Sequence, residues 1–155
     1  MTAWPGTRFP HGRGERGTAL VEVTWLAILL LVPLLYVLLA VFEVQRSAFA
    51  VTAAARAAGR AFVIAPSREA AAARAREAAS VALADQRLDL RDGDLDVMCT
   101  PGPAACLTPG SFVEVRVSYP VALPLMPAAL GGNTPSIRVE ATHRVPYGTF
   151  REDRS

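Results

Sequence analysis

From Val23 to Phe42 the chain carries no charged residue, and only Thr24 and Pro33 interrupt its apolar run. Some twenty such residues span about 30 Å as a helix, the thickness of a bilayer's hydrocarbon core. The pattern then changes without a break in helical period. Val44, Ala48, Val51 and Ala55 recur at i, i+4, i+7 and i+11, with Arg46, Arg56 and Arg60 left for solvated positions. One long helix is therefore expected from Thr18 to Val63, half in lipid and half outside. Its outer face is Ala and Val, which suits either a rigid stalk or a seam against another helix. Pro66 ends it, and Ser67 is placed to cap a second helix from Arg68 to Arg87. Alanine gives that helix high propensity. Val81, Ala84 and Leu88 form its expected apolar stripe, and Arg74 and Glu77 an i, i+3 pair.

After Asp92-Gly93 the period becomes two. Leu95, Val97 and Cys99 alternate with Asp94, Asp96 and Met98. Phe112 to Tyr119 sets Val113, Val115, Val117 and Tyr119 on one face against Glu114, Arg116 and Ser118. Ile137 to Val145 repeats the scheme, with Ile137, Val139 and Ala141 against Arg138, Glu140 and Thr142. Three alternating runs predict an antiparallel sheet with one wet and one buried face. The second helix and the outer part of the first are the only candidates to cover the buried face. The fold class is thus α+β: a long N-terminal transmembrane helix continuing outside the membrane, a second helix and a small three-stranded antiparallel sheet. Charge pairing on the wet face predicts Glu114 opposite Arg138, or Arg116 opposite Glu140, since the intermediate register sets like charges together twice. Pro120 to Pro135 reads as a loop, apolar from Val121 to Leu130.

Charge orients this layout. Residues 1–17 form a Pro- and Gly-rich tail with no period, expected to be disordered. It holds Arg8, Arg13 and Arg16 against Glu15 alone, and positive charge beside a span marks the cytoplasmic side. Residues 18–43 are the transmembrane helix, and residues 44–155 an extracytoplasmic domain. Ala48-Phe49-Ala50 has the form of a signal-peptidase site, but the apolar run exceeds the usual 7–15 residues or so of a signal peptide and ends short of it. All sixteen basic residues are Arg, and the net charge is only +2, so no nucleic-acid footprint is visible. The two cysteines, Cys99 and Cys106, form an even pair in an outer domain and predict a disulfide.

Candidate chemistry is sparse. No phosphate loop, catalytic carboxylate pair or HExxH cluster occurs, and the two histidines, His11 and His143, fall on opposite sides of the expected membrane. Cys99, Cys106 and His143 are one ligand short of a structural zinc site. No enzyme, cofactor or metal is expected. The residue that stands out is Glu22, an acid at the mouth of the span. If the chain were cut after Gly17, Thr18 would carry a free ammonium four residues before Glu22. That amine could pair with the Glu22 carboxylate of its own chain or a neighbour's.

Arg16-Gly17, a short neutral run, Glu22 and the long apolar helix resemble a type IV prepilin N-terminus. With Val21-Glu22 entering the span and the continuation Ala53-Ala54-Ala55-Arg56-Ala57-Ala58-Gly59-Arg60-Ala61, the chain more closely resembles the TadE-like pseudopilins of the tight-adherence (Flp) pilus machinery. One position departs, Val23, where that family has an aromatic. The resemblance covers Arg16 to Val63, and the remainder in layout. It implies a pilin-like arrangement, processing between Gly17 and Thr18 by a prepilin-type peptidase, and an assembly role for Glu22. The partners it implies are other pseudopilins, a major pilin, an inner-membrane assembly platform and the bilayer. The other class left open is a single-pass membrane protein whose outer domain binds a ligand or partner.

Overall fold

The computed structural model describes residues 15–122 and 136–154. It has two helices, α1 (Glu15–Val63) and α2 (Arg68–Ala84), and three strands, β1 (Leu95–Thr100), β2 (Phe112–Ala122) and β3 (Ser136–Pro146). A short 3-10 turn, Pro103–Ala105, follows β1. The chain divides into two compact units, Met1–Leu38 and Leu39–Ser155. The α+β expectation holds in every element.

Helix α1 starts three residues before the expected Thr18, so Glu15 to Gly17 are helical rather than part of a disordered tail. Gly17 costs about 1 kcal/mol in a helix relative to Ala, but each residue added to an existing helix fixes one more hydrogen bond. Pro33 lies inside α1 without ending it. Ser67 caps α2 as expected: its backbone is extended, and its hydroxyl accepts from the Ala70 N–H at 3.4 Å. In the first turn, the Glu69 carboxyl is held below its ordinary range by its own backbone N–H and then by the Ser67 hydroxyl. The other end of α2 comes earlier than Arg87. Arg87 adopts the left-handed conformation, its N–H donates to Ala84 O, and the Leu88 N–H reaches back to Leu83 O. These two bonds and the buried pair Leu83 and Leu88 make a Schellman stop.

The sheet order is β1-β2-β3, antiparallel throughout. Val113, Val115 and Val117 are fully buried on its inner face. Both helices cover that face. The backbone of α1 lies close over β2 and β3 at Gly59, where an added Cβ would meet Val145, His143 and Val115. Helix α2 lies against β1. Its buried stripe is Ala71, Ala75, Ala79 and Leu83; of the expected Val81, Ala84 and Leu88, only Leu88, beyond the end of the helix, is buried. Val81 is 59% exposed. On α1, Val51 and Ala55 are buried as expected, while Val44 and Ala48 are only half-buried. The centre of the buried band is Ser47, Val51, Ala54, Ala58 and Phe62. The outer part of α1 is therefore a packing seam against its own sheet, not a bare stalk.

Strand β2 runs three residues past Tyr119, through Pro120. The Ser118 N–H donates towards β1, to Asp94 O at 2.8 Å. Two residues on, the Pro120 nitrogen faces the same side, and β1 has already ended there, so no ladder bond is lost. The rest of the expected loop, residues 123–135, lies outside the described residues.

The register of β2 and β3 corrects the charge-pairing expectation. Glu114 stands opposite Arg144, Arg116 opposite Thr142, and Ser118 opposite Glu140. This register pairs all eleven residues of each strand. Net contributions of about 0.5–1.5 kcal/mol per backbone hydrogen bond outweigh about 0.2–1 kcal/mol per exposed ion pair. The like-charge register is still avoided. Arg116 and Glu140 meet on the diagonal, with Nε to Oε1 at 3.2 Å.

Candidate functional site

The first candidate surface is the exposed length of α1. From Ala19 to Leu35 every side chain is exposed, including Leu20, Trp25, Leu29 and Leu30. No face of this stretch is spared, as a helix solvated by lipid requires. α1 is the one helix among the described residues long and apolar enough to cross a membrane. A water-exposed patch of this size would be far beyond what soluble monomers tolerate. Gly17 and Thr18 lie in the first turns of α1. Glu22 is on the exposed helix one turn further on. Thr24 folds its hydroxyl back onto Leu20 O at 2.8 Å, which satisfies that polar group within the helix.

The first charges after the apolar run neutralise each other. Arg46 donates to the Glu43 carboxylate at 2.6 Å, one helical turn apart, with both side chains about one third exposed. Next to them the buried Ser47 hydroxyl donates to Glu43 O. A paired Glu and Arg cost less than separate charges wherever lipid headgroups approach them.

The second candidate region is the clip between β1 and the segment before β2. Cys99 and Cys106 form the expected disulfide, with Cα atoms 5.0 Å apart. Both sulfurs are committed to that bond, so neither is a free thiolate for a metal. Cys99 belongs to β1, opposite Val113, whereas Cys106 follows the 3-10 turn. The bond therefore ties β1 to its own connector. Beside it is a groove of about 520 Å³ lined by Phe62, Arg68, Ala72, Met98 and Pro103. Closing so short a loop stabilises the fold by about 2.5 kcal/mol in the loop-entropy account. Replacing both cysteines by serine is expected to lower the unfolding free energy by about that amount. A denaturant titration of the double variant checks it, and unchanged stability removes the role of the clip.

A third feature has no counterpart in the sequence reading. The segment after β3 folds back over the end of α1. Arg151 donates to Val63 O at 2.6 Å, and Arg154 to Ala65 O at 3.2 Å. Cations on the last carbonyls of a helix satisfy groups that have no intrahelical partner and oppose the negative end of its dipole. Tyr147, the largest fully buried side chain, holds this segment down, its hydroxyl donating to Glu152 O at 2.7 Å. Ser111 and Leu107 complete the knot: Tyr147 N–H donates to Ser111 O, and Arg154 N–H to Leu107 O. No sequence signal marks it, since Arg151 and Arg154 lie 88 and 89 residues from the carbonyls they reach.

The structure thus brings Cys99 and Cys106 together, and sets Gly17, Thr18 and Glu22 on one helix. His143 lies on the inner face of β3 beside Gly59, remote in role from the disulfide. No family model, curated protein or solved structure matches the chain.

Proposed function

We propose that this chain is a membrane-anchored pilin-type subunit, of the TadE-like kind, that takes part in assembling a tight-adherence pilus or secretion fibre. The observation that carries this reading is one helix, α1, that is apolar and exposed behind a Gly17-(four residues)-Glu22 start and packs through small residues on a β-sheet at its other end. In this reading residues 1–17 are a cytoplasmic leader, α1 crosses the bilayer, and the disulfide-clipped α+β domain is extracytoplasmic. The role is structural, not enzymatic, and needs no cofactor. Its partners are a prepilin-type peptidase, the inner-membrane assembly platform, a major pilin and other pseudopilins.

Topology is the first test. A reporter active only outside the cytoplasm, fused after Ser155, is expected to give signal. Signal only from a cytoplasm-active reporter overturns the scheme, because it puts the domain on the wrong side for a fibre.

One observation favours a second reading, in which the outer domain binds a ligand. The groove beside the disulfide has a volume within the roughly 300–1,000 Å³ of small-molecule sites, with apolar walls and one cation, Arg68. A sound topology with an unprocessed N-terminus would favour that reading.

A further inference from the structure

The sheet order leaves β1 at an edge. The ladder tells which of its groups face outward. The Ser118 N–H donates to Asp94 O, and backbone groups alternate sides along a strand. Asp94, Asp96, Met98 and Thr100 therefore turn their N–H and C=O groups to β2. Leu95, Val97 and Cys99 turn theirs to the open side, and no other described segment bonds to them there. Such a row is a template for another strand, and edges are usually guarded by charge. The one charged residue of β1, Asp96, has its backbone on the β2 side.

Val97 and Cys99 also form part of the wall of the groove beside the disulfide. The rest of that lining, Phe62, Ala72, Met98 and Pro103 included, is apolar except for Arg68. Among the described residues the exposed Arg68 guanidinium has neither a hydrogen bond nor a salt bridge. The adjacent Glu69 carboxylate is turned to its own backbone N–H and to the Ser67 hydroxyl. One wall thus offers backbone donors and acceptors, the interior offers apolar surface, and the lip offers one unpaired cation.

We infer that this groove binds the C-terminus of a partner polypeptide whose last residue is apolar. The end of the peptide pairs with the outward groups of Val97 and Cys99 as an added strand. Its last side chain fills the space against Phe62 and Met98, and its terminal carboxylate meets Arg68 in a charge-assisted hydrogen bond. This occupant uses all three features together. A fatty acid would leave the β1 edge unmatched, and an internal apolar strand would leave Arg68 unmatched. The inference rests on the groove of the second reading and holds equally for a pilin-type subunit. Its test needs no pilus, so its failure leaves the topology and processing results untouched.

The test is peptide binding to the full chain held in lipid nanodiscs. The probe is a fluorescent pentapeptide pool with leucine last and every other position random, made as the free acid and as the C-terminal amide. The acid is expected to bind about tenfold more tightly than the amide, which lacks the charge that Arg68 meets. Arg68→Ala is expected to bring the acid down to the level of the amide. Arg74→Ala, on the same helix but outside the groove, is expected to leave the acid's affinity unchanged. Hydrogen exchange at the Val97 and Cys99 amides is expected to slow when the acid is bound. Protease resistance checks that each variant is folded. Equal affinity of acid and amide, an Arg68→Ala chain that still prefers the acid, or unchanged exchange in β1 overturns the proposal. So does the absence of peptide binding at millimolar concentration, and octanoate binding without peptide binding assigns the groove to a small amphiphile instead.

Discussion

A chain carrying Gly17→Leu is expected to keep its first seventeen residues, and the native chain is expected to lose them. The mature chain would start at Thr18 and hold 155 − 17 = 138 residues. The spacing motivates this: a glycine, then Glu22 at the fifth position after it, then a long uncharged apolar helix. The structure places the Gly17–Thr18 bond in the first turns of α1. A peptidase must open that backbone to reach it. Helix ends fray, and Gly17 lowers the local helical stability by about a further 1 kcal/mol, so the bond lies where opening costs least. Cutting would remove Arg8, Arg13 and Arg16, the charges expected to hold the N-terminus at the cytoplasmic face. It leaves one ammonium, at Thr18, that Glu22 can neutralise, and the helix can then leave the bilayer at lower cost. Mass spectrometry of the native N-terminus decides the cut. Glu22→Gln separates the two steps: the protein should still be made, anchored and processed, but fail to assemble. Retention of residues 1–17 while a pilus system is active refutes processing. Normal assembly of Glu22→Gln refutes the pairing role alone.

The second large effect is at Gly59. There α1 comes so close to the sheet that a Cβ would stand 2.8 Å from Val145 Cγ2 and 3.3 Å from His143 Cδ2. Gly59→Leu must therefore lift the helix from β2 and β3 and break the core around Val115 and Ala58. Overpacking costs about 1–3 kcal/mol even for added methylenes, and a whole leucine at a backbone contact costs several times one methylene. Against a total stability of about 5–15 kcal/mol, that is expected to leave the domain largely unfolded and open to protease. Gly59→Ala is milder. The obstacle is the end of one valine side chain, and alanine returns about 0.5–1 kcal/mol of helix propensity. Val145→Ala should recover part of the loss in Gly59→Ala, because it removes the atom in the way. A thermal melt of Gly59→Leu within a few degrees of the parent would show that α1 does not seat on the sheet there.

The elements were legible because their signals are local. An uncharged run of twenty residues, a proline followed by a capping serine, and three alternating stretches each specify backbone conformation from within a few residues. The disulfide was legible because two cysteines seven residues apart leave one intramolecular pairing. Composition and charge likewise bounded the chain to one span and one small domain.

Three things were decided only in three dimensions. The first is which small residues face inward. Alanines surround both helices, so Ala71, Ala75 and Ala79 differ from Ala72 and Ala73 only in where the sheet lies. Helix periodicity needs a contrast between faces, and this sequence offers little. The second is the register of β2 and β3. Every shift by two residues keeps Val113, Val115 and Val117 inside, so the hydrophobic pattern cannot choose among them. Full pairing of two equal strands chose instead, and the ion pair between Arg116 and Glu140 settled for the diagonal. The third is the C-terminal clamp. Arg151 and Arg154 bind carbonyls of Val63 and Ala65, 88 and 89 residues away in sequence. A carbonyl left open at a helix end attracts any cation that the fold brings near. Which arginine arrives is set by the path of the chain through the sheet, and no local pattern records that path.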